Sequence, residues 1–218
     1  MTTITATLPK PTLTPWQYFS VTIATMLLVA CTQVQAQIPT SPATVTLTDT
    51  EIAGLVWMLE EEKLAHDVYV SLYDLWGVRT FDNISRSETQ HVTAVQSLLE
   101  RYNIAAASLG SVGVFNDPTL QTLYDDLIAR GQTSLEEALR VGAFIEEIDI
   151  KDLNMRSAQT DNVDILTVYD NLNQGSRNHL RAFVNQLNRY GINYEPQILD
   201  NLSYQAILSS SSKRGTQN

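Results

Sequence analysis

Residues 48–77 read TDTEIAGLVWMLEEEKLAHDVYVSLYDLWG, and the fold is decided inside this stretch. Thr48-x-x-Glu51 has the form of a capping box, in which each side chain satisfies the other residue's backbone N–H. Apolar Ile52, Leu55, Val56 and Leu59 follow at three- and four-residue spacing, so the segment is an amphipathic helix, and Gly77 ends it. The same register predicts the next inward position at 62 or 63, where the sequence supplies Glu62. A carboxylate continuing an apolar stripe loses hydration that no leucine-like neighbour restores. Another group in the chain must share that charge.

Downstream, the spacing predicts a second helix with Thr80 as its N-cap, carrying Phe81, Ile84, Val92, Val95, Leu98, Leu99 and Tyr102. Its register puts Glu88 and His91 inward, three residues apart and so neighbours on one face. The tight link at Gly77 makes the two helices an antiparallel hairpin. Residues 103–133 form a long connection punctuated by Gly110, Gly113 and Pro118, with one short helix over 118–130 stopped by Gly131. A third helix spans 134–157 with Leu135, Ala138, Leu139, Gly142 and Ile145 inward, and Glu146 and Asp149 continue that stripe. A fourth, from about Asn162 to Tyr190, carries Val163, Leu166, Tyr169, Leu172, Ser176, His179, Leu180, Phe183 and Leu187, and Gly191 terminates it. The tail beyond Pro196 is expected to pack weakly. No strand-rich stretch occurs, so the fold class is all-α. Two short-linked pairs joined by a long crossover between helices two and three have the connectivity of a ferritin-like antiparallel four-helix bundle.

Glu62, Glu88, His91, Glu146, Asp149 and His179 thus interrupt the apolar stripes of all four helices. At a rise of about 1.5 Å per residue, Glu62 lies roughly 20 Å from the end of its helix and His91 roughly 17 Å from the start of its own, so the levels match. Several carboxylates at one depth need cations, protons or a metal ion to share. Oxygen and imidazole donors suit one or two ions of iron, with manganese and zinc open on ligand type. The single cysteine, Cys31, excludes thiolate zinc sites and cysteine-held iron–sulfur clusters. Three plainer readings stand beside this one. Ser85-x-x-Glu88 could be a capping box of a helix that starts late. The acids and histidines could form a metal-free polar network with Arg177 or Arg181. Tyr69, Tyr73, Tyr102 and Tyr169 could be packing residues rather than ligand partners. Glu60, Glu61 and Glu147 read as solvated or supporting groups, and His66 as a reserve ligand.

Glu62-x-x-Ala65-x-x-x-Tyr69 and Glu88-x-x-His91 resemble the first half of a rubrerythrin- or ferritin-type diiron carboxylate motif. Four segments, EEEKLAHDVY (60–69), SETQHVTAV (87–95), VGAFIEEIDIKDL (141–153) and GSRNHLRAF (175–183), in that order resemble a ferritin-like family known as domain of unknown function 2202. The resemblance covers about residues 48–208; it implies a ferritin-like bundle and a metal site, with Tyr69 beside the ligands, and names no activity. One departure bears on nuclearity. Diiron proteins carry a second Glu-x-x-His on helix four, whereas this chain has Ser176-Arg177-Asn178-His179. Asp149, one turn beyond Glu146, could supply the missing oxygen; without it a mononuclear site is expected.

Asp and Glu number 24 against 14 Lys and Arg, a formal charge of -10, which opposes phosphate-backbone binding and excludes nucleic acid as a partner. Residues 19–30, FSVTIATMLLVA, are too short to span a bilayer and read as the apolar core of a signal peptide. Leu28-Val29-Ala30-Cys31 resembles a bacterial lipobox, with cleavage before a lipidated Cys31; Val34-Gln35-Ala36 offers an ordinary cleavage site instead. The organisation expected is a leader over 1–30, a tether over 31–47, the bundle over 48–208 and a disordered tail over 209–218. The mature product is then exported, either as an envelope lipoprotein that touches membrane only through Cys31 or as a soluble periplasmic or secreted protein, with homo-oligomerisation left open. No serine-hydrolase nucleophile motif or glycine-rich phosphate loop occurs. Two functions remain. One is an iron-dependent oxidase, ferroxidase or peroxidase whose partners are metal ions and small oxidants. The other is a non-enzymatic, envelope-anchored helical module used for binding or scaffolding without metal.

Overall fold

A computed structural model describes residues 46–106 and 108–210. The expected leader, most of the tether with Cys31, and residues 211–218 lie outside the described residues. The described chain is helical, without strands: α1 (Asp49–Trp76), α2 (Arg79–Arg101), α3 (Pro118–Gly131), α4 (Leu135–Ser157), α5 (Val163–Arg189) and α6 (Asn201–Ser209). The four long helices pair as α1 with α2 and α4 with α5, and α1 against α4 and α2 against α5 complete the arrangement, while α3 lies across α1 and α4. This all-helical order, with α3 inside the long crossover, fits a ferritin-like bundle. No described helix is long and apolar enough to cross a membrane.

Local chemistry accounts for most helix ends. Thr48 and Glu51 form the reciprocal capping box, with Thr48 N–H donating to Glu51 at 2.8 Å. Gly77 stops α1 in the left-handed conformation, φ 65, where a side chain would be strained. Asp117, Ser134 and Asn162 cap α3, α4 and α5 through their side chains. Two boundaries differ from expectation. Helix α2 begins one residue before Thr80, after Val78, with no side-chain cap, because a valine at the N-cap has no acceptor to offer. On α5, Val163 is 74 % exposed and Ile165, not Leu166, starts the buried stripe.

The apolar core falls into two clusters. One contains Leu64, Val68, Tyr69, Leu72, Phe81, Leu139, Phe183 and Leu187. The other contains Leu55, Met58, Leu59, Val95, Leu98, Leu153, Ile165 and Leu172. On α1, α2 and α5 the switch from one cluster to the other happens at the polar positions, Glu62, Glu88 with His91, and Ser176 with His179; on α4 it falls between Ile150 and Leu153, just past Glu146 and Asp149, and all seven polar residues are buried.

Three acids read from the sequence as solvated or supporting are buried, Glu60 and Glu147 because irregular segments cover the outer faces of α1 and α4, and Glu61 against α1 and α4 side chains. Glu60 accepts the backbone N–H groups of Asn116 and Asp117 at 2.9 and 3.0 Å and the Asn116 side-chain amide at 2.8 Å, which stitches the crossover to α1. Glu61 accepts from the Trp57 indole at 3.2 Å. Glu147 accepts from the Tyr194 hydroxyl and from the backbone N–H groups of Gln197, Ile198 and Leu199. The described part of the tail, residues 197–210, is therefore held, contrary to the expectation of weak packing: α6 buries Tyr204 and Ile207, and Tyr204 donates to the Tyr194 carbonyl at 3.0 Å. On α1, Lys63 pairs with Asp67 and donates to Ser111 O at 3.0 Å, and Asp67 also accepts from Gly113 N–H at 2.9 Å, which adds to the hold of Glu60 on the crossover. Replacing Glu147 by alanine strands buried donors on the C-terminal segment. Glu147→Ala should cost about 2–4 kcal/mol in denaturant unfolding.

Candidate metal centre

Glu88 sits at the middle of the polar layer, wholly buried. Its Oε2 lies 2.7 Å from His91 Nδ1 and its Oε1 2.8 Å from His179 Nδ1. Neither carboxylate oxygen has an aligned hydrogen bond, and His179 Nδ1 has none either. The ring nitrogens come close to Glu88 without an aligned hydrogen bond to it, and His91 Nδ1 aligns instead with Glu62. On one side Glu62 Oε2 lies 3.0 Å from His91 Nδ1; on the other Glu146 Oε2 lies 3.5 Å from His179 Nδ1. Two donor groups result, Glu62–Glu88–His91 and Glu88–Glu146–His179, each with one donor atom per residue within 4.8 Å of the others. They share Glu88, and the two imidazoles stack with centroids 5.5 Å apart. Glu62 Oε1, Glu146 Oε2 and both oxygens of Asp149 are buried without a partner. Orphaned buried carboxylate oxygens are costly unless a cation or proton satisfies them, so acid and histidine clusters of this kind could bind a metal.

A profile of the family described as "Uncharacterized protein domain (DUF2202)" matches residues 51–211. The chain belongs to that family. It is 49% identical over 170 residues, 78% of this chain and 92% of the relative, to "Uncharacterized protein MJ0754" of Methanocaldococcus jannaschii. A solved structure titled "Crystal structure of hypothetical protein MJ0754 from Methanococcus jannaschii DSM 2661" superposes with a TM-score of 0.75 at 47% identity, covering 82% of this chain and all of that one. This likeness supports the helical fold of the family and carries no named activity.

The electrostatics follow from burial working against mutual pairing. Burial pushes the Glu62 carboxyl up, His91 pulls it back, and it stands at about 7. Burial also pushes Glu88 up, but His179 and His91 flank it on both sides and hold it below the usual carboxylate range. Burial lowers the imidazoles, yet Glu88 and then Glu62 raise His91 to about 11, and Glu88 and then Glu146 raise His179 to about 10. Asp149 has no cation beside it: burial, then the charges of Glu62, Glu61 and Glu146, push it well up. Glu146 is raised by burial against the pull of His179. Tyr69 donates to Glu146 Oε1 at 2.6 Å, and burial and the Glu146 charge raise its own hydroxyl well above the ordinary value.

Of the six residues singled out in the sequence, the structure brings Glu62, Glu88, His91, Glu146 and His179 into the two groups; Asp149 is buried nearby but joins neither. The late-start capping alternative fails, since α2 begins at Arg79 and the Ser85 hydroxyl donates to Asp82 O at 3.0 Å. His66 turns away to Asp67, 2.8 Å from its carboxylate. Arg181 donates to Asn178 and to Ile207 O, not to the acids of the layer. Ser87, which contacts His179 Nε2 at 3.0 Å, and Gly175, which lies against His91, escaped sequence reasoning. A glycine inside a helical pattern was the available signal for a close approach at 175; a serine on an exposed-looking position carries none.

The pH dependence has a definite sign. Each imidazole holds its proton more tightly folded than unfolded, so the stabilisation is full below the unfolded value of about 6.5 and is lost as pH rises through the folded values. Without metal, the denaturation midpoint should fall progressively between about pH 6.5 and about pH 11. Glu88→Gln, which removes the shared partner, should flatten that fall.

Proposed function

We propose that the chain is an exported ferritin-like metalloprotein that holds two iron ions, one at Glu62, Glu88 and His91 and one at Glu88, Glu146 and His179, and that it acts on dioxygen or peroxide. The observation that carries the reading is the placement of Glu88, with one carboxylate oxygen beside each histidine and neither oxygen hydrogen-bonded. Three carboxylates and two imidazoles without thiolate are a donor set suited to iron or manganese, and zinc also accepts it. Iron held there supplies electron transfer to a small oxidant.

The chain's own residues do the rest. Glu88 ties the two halves together and offsets positive charge from both sides. Tyr69 engages Glu146 Oε1 and leaves Oε2 to face His179, which fixes the orientation of that carboxylate. Asp149 adds a buried acid whose oxygens have no other partner. Ser176, where a second bridging carboxylate would stand, donates instead to Leu172 O at 3.1 Å and contributes no donor. Apolar clusters above and below the layer keep bulk water out, and strengthen every charge interaction inside it. The competing reading, a metal-free scaffold, is favoured by the aligned 3.0 Å contact between His91 Nδ1 and Glu62, which lets the layer satisfy part of itself.

Metal content separates the two. Protein loaded with Fe(II) in air and desalted should retain two iron ions per chain and show a ligand-to-metal absorption band. Glu88→Ala and His91→Ala should each weaken binding by more than about 100-fold, with Glu88→Ala abolishing both sites. Wild-type protein that retains no iron, manganese or zinc would overturn the proposal.

A further inference from the structure

The outward edges of the two imidazoles each meet a small residue on the opposite helix. His179, on α5, presents Nε2 to the Ser87 hydroxyl of α2 at 3.0 Å. His91, on α2, lays Nε2 against the α5 backbone at Gly175, where a Cβ would stand 2.5 Å from Nε2 and 2.6 Å from Cε1. Ser87 immediately precedes Glu88, and Gly175 immediately precedes Ser176. Each helix therefore supports the other's histidine one residue before its own inward-facing position. Resting on the two-ion reading above, we infer that Ser87 and Gly175 are positioning residues, Ser87 for the Glu88–Glu146–His179 half and Gly175 for the Glu62–Glu88–His91 half.

The chemistry of the ring sets the role of Ser87. Both Nδ1 atoms face the carboxylates, so Nδ1 is the nitrogen available to a metal and Nε2 must keep its proton. In that form His179 Nε2–H donates to Ser87 Oγ, 3.0 Å away, and the contact holds the ring plane with Nδ1 turned inward. An outer partner of this kind typically changes metal affinity by about 10–100-fold when removed.

Gly175 acts by omission. Glycine weakens a helix, yet it is kept within the 27-residue α5. A methyl group there would press on the imidazole far inside the roughly 3.5–4.0 Å of a comfortable contact. His91 cannot retreat freely, because its Nδ1 is held 3.0 Å from Glu62 and 2.7 Å from Glu88. The ring would have to leave one of those carboxylates. Gly131 makes a similar close approach, with a Cβ 2.7 Å from Leu72 Cδ2, but no donor group lies in that contact, so it serves as a packing control.

Cobalt(II) titration of the purified, metal-free full-length protein tests the assignment, read by ligand-field absorption and by equilibrium dialysis, with thermal unfolding followed in parallel. Wild-type protein should take up two cobalt ions. Ser87→Ala should keep one tight ion and weaken the other about 10–100-fold, and Ser87→Thr, which retains the hydroxyl, should restore it. Gly175→Ala should also keep one ion, with a spectrum different from the one left in Ser87→Ala, and the double variant should lose both. Gly131→Ala should lower the melting temperature and keep two ions. If Gly175→Ala does not fold, the Ser87→Ala and Ser87→Thr pair decides alone. Two tight ions in Ser87→Ala, or equal weakening of both ions in it, would overturn the inference while leaving the metal centre standing. No cobalt uptake by wild-type protein would instead sink the functional reading beneath it.

Discussion

A slab of charge between two apolar halves governs this molecule. Glu62, Glu88, Glu146 and Asp149 are buried at the depth where the hydrophobic core is divided, and among the described residues two imidazoles stand beside them to balance the acids. In a low-dielectric interior an unpaired carboxylate is among the most unfavourable groups a fold can bury. The pKa directions follow: His179 and His91 hold Glu88 below the usual carboxylate range against its burial, while burial pushes Glu62 and Asp149, less well supplied with positive charge, upward. An arrangement that needs protons to be tolerable is one that a divalent ion can occupy to advantage.

The layer is also where the connectivity matters. Glu62, Glu88 and His91 come from α1 and α2, joined by two residues, whereas the other group draws Glu88 from the first pair and Glu146 and His179 from the second. The shared carboxylate is thus one point, within the polar layer, at which the two helical pairs meet. Tyr69 reinforces the joint by reaching from α1 to Glu146 on α4.

Helix order, the capping box at Thr48, the stop at Gly77 and the inward register of Glu62, Glu88, His91, Glu146 and His179 were legible because each depends on spacing along one helix. What was not legible depends on segments without periodicity. Glu60 and Glu147 point away from the layer, and nothing in the helical pattern announces that the crossover near Asn116 and the stretch at Gln197–Leu199 would come to rest on them. Val163 was misread because an apolar residue at a helix start need not face inward once Asn162 has capped the turn. The shared role of Glu88 lies beyond periodicity altogether, since it is a relation between α2 and α5 rather than a property of either.

The outer carboxylates have a mechanical consequence. On α1, Glu60 grips the crossover while Glu62, two residues on, faces inward; on α4, Glu146 faces inward while its neighbour Glu147 grips the C-terminal segment. Turning either rod about its long axis by a single residue, about 100°, would release the outer anchor and swing the inner oxygens off target in the same movement. Loop and donor set are keyed to the same turn, so the azimuth of both helices is locked from the outside as well as from within.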